Sequence, residues 1–379
     1  MKKIIGIIAE YNPFHNGHKY QIDKIKEKYN DSIIIVCVSS SFTQRGELSI
    51  LNKWEKTQIA LKNGADIVIE LPYIYSTQSS DIFASAGIKL LNEFKIDELC
   101  FGSEENNIDK LIKCAKTQLY NKDFDIKVKE YLDTGINYPT ALNNALKDLC
   151  NYEITTPNDL LALSYIKEIL KNNYDIKLFN IKRTNNYHDK NLNDSIVSAS
   201  NIRNKITNGI DIINHVPKDV YKLLKDKNIS TKYFEYLKYK IISDNDLNKY
   251  VDVDEGLSTR IKNAINSSNS LEELIENIKT KRYTYNKIYR MLCHILCSFT
   301  KDENNQTKNI EYIRILGFTK NGQEYLNKIK KEFTIDILNK YDTYNYRGLE
   351  IEKRVTDIYS LIYEDISKQE IQNSPIITK

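Results

Sequence analysis

The 379-residue sequence lacks the signatures that would place it in several common classes. No apolar run is long enough to span a bilayer, so no membrane partner is expected. The opening Met1-Lys2-Lys3-Ile4-Ile5 is soon interrupted by Glu10 and Asn12, with no small-residue cleavage site, so it is not expected to act as a secretory leader. There is no Gly-x-x-x-x-Gly-Lys-Ser/Thr and no Gly-x-Gly-x-x-Gly after the first apolar run, which excludes P-loop and dinucleotide-binding sites. No Ser-His-Asp or Cys-His arrangement is evident. The 6 cysteines are scattered, and nothing in their spacing indicates disulfides, so a reducing, cytoplasmic setting is expected. Cys293 and Cys297 flank His294 at helical spacing in an apolar run, without the second ligand pair that zinc needs; helix packing explains them, and no metal ligands are assigned. Glycine (12) and proline (6) are scarce, and the lean toward Lys, Asn, Ile and Tyr reads as an AT-rich genome, which lowers the weight of any single Asn or Lys.

What is present points to a folded chain with a solvated surface. Hydrophobic residues make up 41% and charged residues 28%, and the length favours two domains. The net charge of +4 neither requires nor excludes nucleic acid, because clustering matters more than the total.

Short apolar runs alternate with helical periods in the first half. Strands are predicted at 4–9, 33–38, 66–70, 98–101 and 176–181, with helices at about 17–29, 54–62 and 81–92, a long helical stretch over 108–149, and a helix opened by Pro157. Runs apolar on both faces between helices predict a Rossmann-like, doubly wound parallel sheet of the α/β class. After Arg203 the period is almost wholly helical. A boundary is placed near 204–218, where Asn208-Gly209 and Pro217 break the pattern, giving a catalytic domain over 1–207 and a mainly α-helical domain over 208–379.

The chemistry lies at the end of the first strand, where open α/β sheets bind ligands. His15-Asn16-Gly17-His18 puts two imidazoles three residues apart on one side of a helix start. They can donate to a triphosphate and stabilise a departing pyrophosphate, while free amides of that helix start receive a phosphate. Gly17 lets a ligand approach the backbone. The bland alternative is a pair of polar helix caps. A second element, Ser198-Ala199-Ser200-Asn201-Ile202-Arg203, offers hydroxyls, a helix start and an Arg for the β- and γ-phosphates; its bland reading is an N-cap.

Together the His-x-Gly-His and Ser-x-Ser-x-Ile-Arg elements resemble the nucleotidylyltransferase superfamily. More narrowly, the chain resembles the tRNA(Met) cytidine acetate ligase family. The stretches that carry this are Gly6 through His18, Phe42-Thr43-Gln44-Arg45-Gly46-Glu47, Gly64 through Pro72, and Phe101-Gly102-Ser103-Glu104. Pro157-Asn158-Asp159-Leu160-Leu161, Ile181-Lys182-Arg183 and Tyr187-His188-Asp189 extend it, as do Lys281-Arg282-Tyr283-Thr284, Arg290 and Ile313 through Phe318. Ser39-Ser40-Ser41 and Thr156-Pro157-Asn158 depart from the family's pattern and leave the loop geometry open.

The resemblance implies acetyl-adenylate formation from acetate and ATP, with Mg²⁺ expected, then transfer of acetyl to N4 of the wobble cytidine (C34) of elongator tRNA(Met), with no DNA partner. It implies an ATP cradle of Gly6, Ile7, Ile8, Ala9, Glu10, Tyr11, Asn12, Pro13, Phe14, His15, Asn16, Gly17, His18, Lys19 and Tyr20. Gly102, Asn158, Lys182, Arg183, Ser198 and Ser200 join it, with His15, His18 and Arg45 as catalytic candidates. Asp66 and Glu70 are given no role. Lys279, Lys281, Arg282, Tyr283, Tyr285, Lys287, Tyr289 and Arg290 form the densest basic and aromatic cluster. A solvated helix face is the bland reading of that run; with the resemblance, Lys281, Arg282 and Arg290 are expected to contact RNA. Two rivals are a nucleotidylyltransferase with a small-molecule acceptor and a nucleotide-sensing RNA-binding protein without turnover.

Overall fold

The computed structural model describes residues 2–183, 196–225, 227, 232–254, 256–341, 345–363 and 365–378. Tyr187, His188 and Asp189 lie outside the described residues. The strands are β1 (Lys3–Ala9), β2 (Ser32–Ser39), β3 (Ile67–Leu71), β4 (Glu98–Ser103), β5 (Lys177–Lys182), β6 (Tyr312–Thr319), β7 (Asp336–Leu338) and β8 (Ile376–Thr378). The helices of the first half are α1 (Asn16–Lys28), α2 (Lys53–Lys62), α3 (Tyr73–Ser76), α4 (Ser80–Glu93), α5 (Ile108–Tyr120), α6 (Phe124–Asp133), α7 (Tyr138–Cys150), α8 (Pro157–Lys171) and α9 (Ala199–Thr207). Those of the second half are α10 (Lys218–Leu224), α11 (Lys232–Ser243), α12 (Leu257–Ile265), α13 (Leu271–Ile278), α14 (Tyr285–Leu296), α15 (Lys301–Gln306), α16 (Lys320–Ile329), α17 (Arg347–Ile362) and α18 (Ser367–Gln372).

Strand order is β5-β4-β1-β2-β3-β6-β7, with β8 also on β6. The first five strands are parallel, as their two-sided apolar runs require. Along β2, Ile33, Ile35 and Cys37 enter one core while Ile34, Val36 and Val38 enter the other. This period-2 alternation buries both faces under helices.

The sequence hid the far edge of the sheet. β6 runs antiparallel to β3, and β7 and β8 each pair parallel to β6, so the stretch after Arg203 adds three strands to the same sheet. Arg314 masks β6 as a strand, yet it is 2% exposed because Glu370 and Glu70 surround its guanidinium. Lys53 Nζ lies in the same cluster, 2.9 Å from Glu352 Oε1 and 3.1 Å from Glu370 Oε2, and it contacts Glu70. Buried charges survive only when paired in this way. The cluster stitches α2, β3, β6, α17 and α18 together.

Glu70 is thus an interior ion-pair partner. Asp66 accepts from the Ile34 amide at 3.0 Å and from Thr319 Oγ1 at 3.0 Å, tying β2 to the end of β6. Cys293 and His294 are buried on α14 and Cys297 just after its end, and the Tyr73 hydroxyl lies 2.9 Å from His294 Nδ1. Among the described residues no helix is long and apolar enough to cross a membrane.

The order reverses between β4 and β1, since β1 continues to β2 and β3 on its other side. That switch point opens a crevice at the strands' carboxyl ends, where a ligand is placed.

Candidate active site

A cavity of about 2570 Å³ opens at the switch point. Its walls include the β1–α1 loop, the 44–47 loop, the start of α4, the ends of β4 and β5, residues 132–146, the starts of α8 and α9, and the segment 282–290. The β1–α1 loop is tightly fixed. Tyr11 sits in the left-handed region at φ 47°, a position costing roughly 1–3 kcal/mol for a residue with a side chain, and its ring is buried. The Asn12–Pro13 bond is cis. Asn12 Oδ1 accepts from the Ile50 amide at 2.9 Å, and its carbonyl accepts from Arg203 at 2.7 Å.

Tyr11 and Phe14 pack against His18, with ring centroids 4.8 and 5.5 Å away, and the His15 and His18 rings lie 3.9 Å apart. His15 is the N-cap of α1. Its Nδ1 accepts from the Gly17 amide at 3.0 Å, and His18 Nδ1 accepts from the His15 amide at 3.2 Å. Gly17 is required here for a reason the sequence did not show: a Cβ would stand 2.8 Å from His15 Cε1.

This capping settles the tautomers. An Nδ1 that accepts carries no proton, so in each neutral ring the proton sits on Nε2. Burial pushes the His15 pKa down to about 3, with the Arg183 charge adding to the effect. Burial likewise drives His18 well below its ordinary value, helped by His15 and then Arg183. Both rings are therefore neutral at neutral pH, and both line the cavity. The capping reading and the phosphate reading are compatible, because they use different nitrogens.

The amides at the start of α1 are not free as expected. Asn16 N donates to the His215 carbonyl at 3.0 Å, Gly17 N to His15 Nδ1, and His18 N to the His15 carbonyl at 2.9 Å. All four groups that a helix start leaves over, counting the His15 amide, are taken. The start of α9 is open instead. Ser198 caps it by accepting from Asn201 N at 3.2 Å and lies 3.0 Å from the Ser200 hydroxyl. The amides of Ala199 and Ser200 have no acceptor among the described residues, and Ser198, Ala199 and Ser200 all line the cavity. A helix start with free amides and hydroxyls suits a phosphate.

Other expected residues divide between the cavity and its supports. Ile8, Ala9, Glu10, Tyr11, Asn12, Tyr20, Arg45, Gly102, Asn158 and Arg183 line it. Gly102 lies against Arg183, and Asn158 Nδ2 donates to Glu104. Gly6, Ile7, Pro13 and Phe14 are buried away from it. Asn16 Nδ2 reaches the Asn214 carbonyl at 2.9 Å, Lys19 pairs with Asp23, and Lys182 is exposed; none of the three lines the cavity. Arg203 bridges the Asn12 carbonyl and, at 2.6 Å, Glu47, and it also lines the cavity.

Arg45 is exposed at the cavity and has no ion-pair or hydrogen-bond partner among the described residues. The next residue, Gly46, has φ 85° and packs so closely on α14 that a Cβ would meet Arg290 Cα at 2.9 Å. The sheet's loop and the helical segment thereby share one wall. Arg282, Tyr283, Thr284, Asn286, Lys287 and Arg290 line the same cavity, whereas Lys281 is exposed outside its lining. Arg290 Nε lies 3.6 Å from Asp252.

Two residues given no role from the sequence are Gln44, which lines the cavity, and Lys56. Gln44 donates its amide to Glu10 and its side chain to the Gln78 carbonyl at 2.6 Å. Lys56 is buried, donates to the Ser39 and Ser40 carbonyls at 3.0 and 2.9 Å, and has its pKa pushed by burial down to about 7. A lysine inside a helical period reads as a surface residue, so only the fold reveals it.

The model of the HIGH nucleotidyl transferase family matches residues 1–374. A tRNA(Met) cytidine acetate ligase of Oceanobacillus iheyensis is 37% identical, over 98% of this chain and 99% of its own length. One of a Geobacillus species is 36% identical, over 99% and 100%. The solved structure of Thermotoga maritima TmcAL bound with alpha-thio ATP is similar at TM-score 0.88 and 25% identity, covering 99% of both chains.

Proposed function

The chain belongs to the HIGH nucleotidyl transferase family and, within it, to the tRNA(Met) cytidine acetate ligase family, and from that membership we propose that it is a ligase that activates acetate with ATP and acetylates elongator tRNA(Met) in the cytoplasm. In the first step an acetate oxygen attacks the α-phosphorus and the bond to the β-phosphate bridge breaks, giving acetyl-adenylate and pyrophosphate. In the second, N4 of the wobble cytidine (C34) attacks the acetyl carbonyl and AMP leaves. The observation that carries this reading is the pair of neutral imidazoles, each with its Nε2 proton uncommitted to the cap, beside the Arg183 guanidinium and the open start of α9.

Adenylation asks for positioning and charge stabilisation rather than a protein nucleophile. His15 and His18 donate to the α–β bridge and the leaving pyrophosphate, where donors fixed in advance cost no reorganisation as charge grows. Ser198, Ser200 and the α9 amides hold the terminal phosphates, and Arg45 contacts pyrophosphate or positions the cytidine. Gly102, Asn158 and Arg183 line the nucleoside side, and Lys182 borders it. The ATP analogue held by the Thermotoga maritima protein supports ATP as the nucleotide. Mg²⁺ neutralises triphosphate charge when it accompanies ATP. Among the described residues no group of three or more His, Cys, Asp or Glu could hold a metal ion.

The cavity argues for a large acceptor. Pockets for small ligands run to roughly 300–1,000 Å³, against about 2570 Å³ here. Residues 1–207 act as the ATP-binding part and 208–379 as the part that meets tRNA, although they share one sheet. Arg282 and Arg290 face the cavity with Tyr283, and Lys281 flanks them, a basic and aromatic surface for an unpaired base.

The test is pyrophosphate release measured with a panel of carboxylic acids, with and without tRNA. Acetate-dependent release, with labelled acetyl recovered on tRNA(Met), is expected. Release that ignores acetate would overturn the proposal.

A further inference from the structure

Glu10 is the one acidic residue between Gly6 and Tyr20, and its charge is wrong for a triphosphate cradle. It follows the last residue of β1 at the switch point and lines the cavity with His15, His18, Gln44 and Arg45. One carboxylate oxygen accepts from the Gln44 amide at 2.5 Å; the other has no hydrogen bond among the described residues. The carboxyl group is anchored at one end and, among the described residues, uncommitted at the other, in the cavity that His15 and His18 also line.

Transfer of an acyl group to an amine needs a proton acceptor. The nitrogen loses a proton on becoming an amide, and among the described residues neither His15 nor His18 serves, because each ring's Nδ1 is spent on the cap and its Nε2 already carries the proton. Resting on the function proposed above, we propose that Glu10 accepts the proton of the transfer step. As the exocyclic nitrogen bonds to the acetyl carbonyl carbon and that carbon's bond to the AMP oxygen breaks, one N–H proton passes to the free Glu10 oxygen. The amide, AMP and a protonated Glu10 result.

The surroundings suit a base for this task. Burial holds the Glu10 carboxyl above its ordinary range, the Gln44 amide opposes that, Glu47 adds to it, and Arg45 and Lys56 pull it back. A base moved toward the working pH is a better acceptor than an exposed carboxylate.

Glu10→Gln keeps an oxygen to accept from Gln44 N and removes the base. Two half-reactions are compared in the full-length enzyme: acetate-dependent exchange of labelled pyrophosphate into ATP, and single-turnover transfer to tRNA from preformed acetyl-adenylate. General-base catalysis contributes about 10²–10⁴-fold, so transfer should fall on that order and exchange far less, and the acid limb of the wild-type transfer rate should vanish. Because a repelling charge is removed, ATP should bind the variant more tightly. Equal falls in both half-reactions, an unchanged transfer rate, or weaker ATP binding would overturn the proposal. Exchange that ignores acetate in the wild-type protein would instead overturn the reading beneath it.

Discussion

Two of the helix starts that face the cavity, α1 and α9, are built in opposite ways. At α1 the backbone donors are consumed by the protein itself, two of them by histidine rings. At α9 Ser198 satisfies one donor, and the amides of Ala199 and Ser200 have no acceptor among the described residues. The first therefore offers side-chain donors held rigidly by their caps, and the second offers backbone and hydroxyl donors. Rigid donors suit charge that appears only in the transition state, whereas open amides suit charge present throughout. In the proposed function α1 serves the chemistry and α9 holds ATP.

This division can be broken by substitution. His18→Ala removes one Nε2 donor and the cap on the His15 amide. The acetate-dependent exchange rate should fall about 10²–10³-fold, as losing one such donor does elsewhere, with the KM for ATP little changed. Loss through KM alone would move α1 to the ground state. Ser198→Ala should give the smaller and opposite pattern. Losing a hydrogen bond to a charged group costs about 1.5–3 kcal/mol, so KM for ATP should rise about tenfold or more while kcat holds. A fall in kcat matching that of His18→Ala would erase the distinction between the two starts.

Much of this was open to the sequence, for identifiable reasons. β1 and β2 are apolar on both faces, so they read directly as parallel strands, and the His-x-Gly-His pair needs nothing beyond spacing to share a side. β6 was missed because Arg314 interrupts it, and only the ion pairs with Glu370 and Glu70 make that burial tolerable. β7 and β8 are three residues each, too short for a period to show. The closed start of α1 was hidden because its acceptors are ring nitrogens and the distant His215 carbonyl. The α9 hydroxyls were legible because Ser-x-Ser at a helix start is a local pattern. Long-range partners, such as those that hold Arg203 on Asn12 and Glu47, are absent from any local pattern.

The neutrality of His15 and His18, each capped through Nδ1 with its proton on Nε2, underlies the proposed chemistry. Its sign with pH follows from the depressed values. As pH falls from about 6.5, the ordinary histidine value, the unfolded chain takes up these protons first, so stability declines toward about 3 for His15. The most direct measurement is the NMR of the ring nitrogens of both histidines in the ligand-free protein, from about pH 8 down to pH 5. Nε2-protonated neutral rings are expected throughout. A ring that titrates near its ordinary value, or carries its proton on Nδ1, would contradict that expectation.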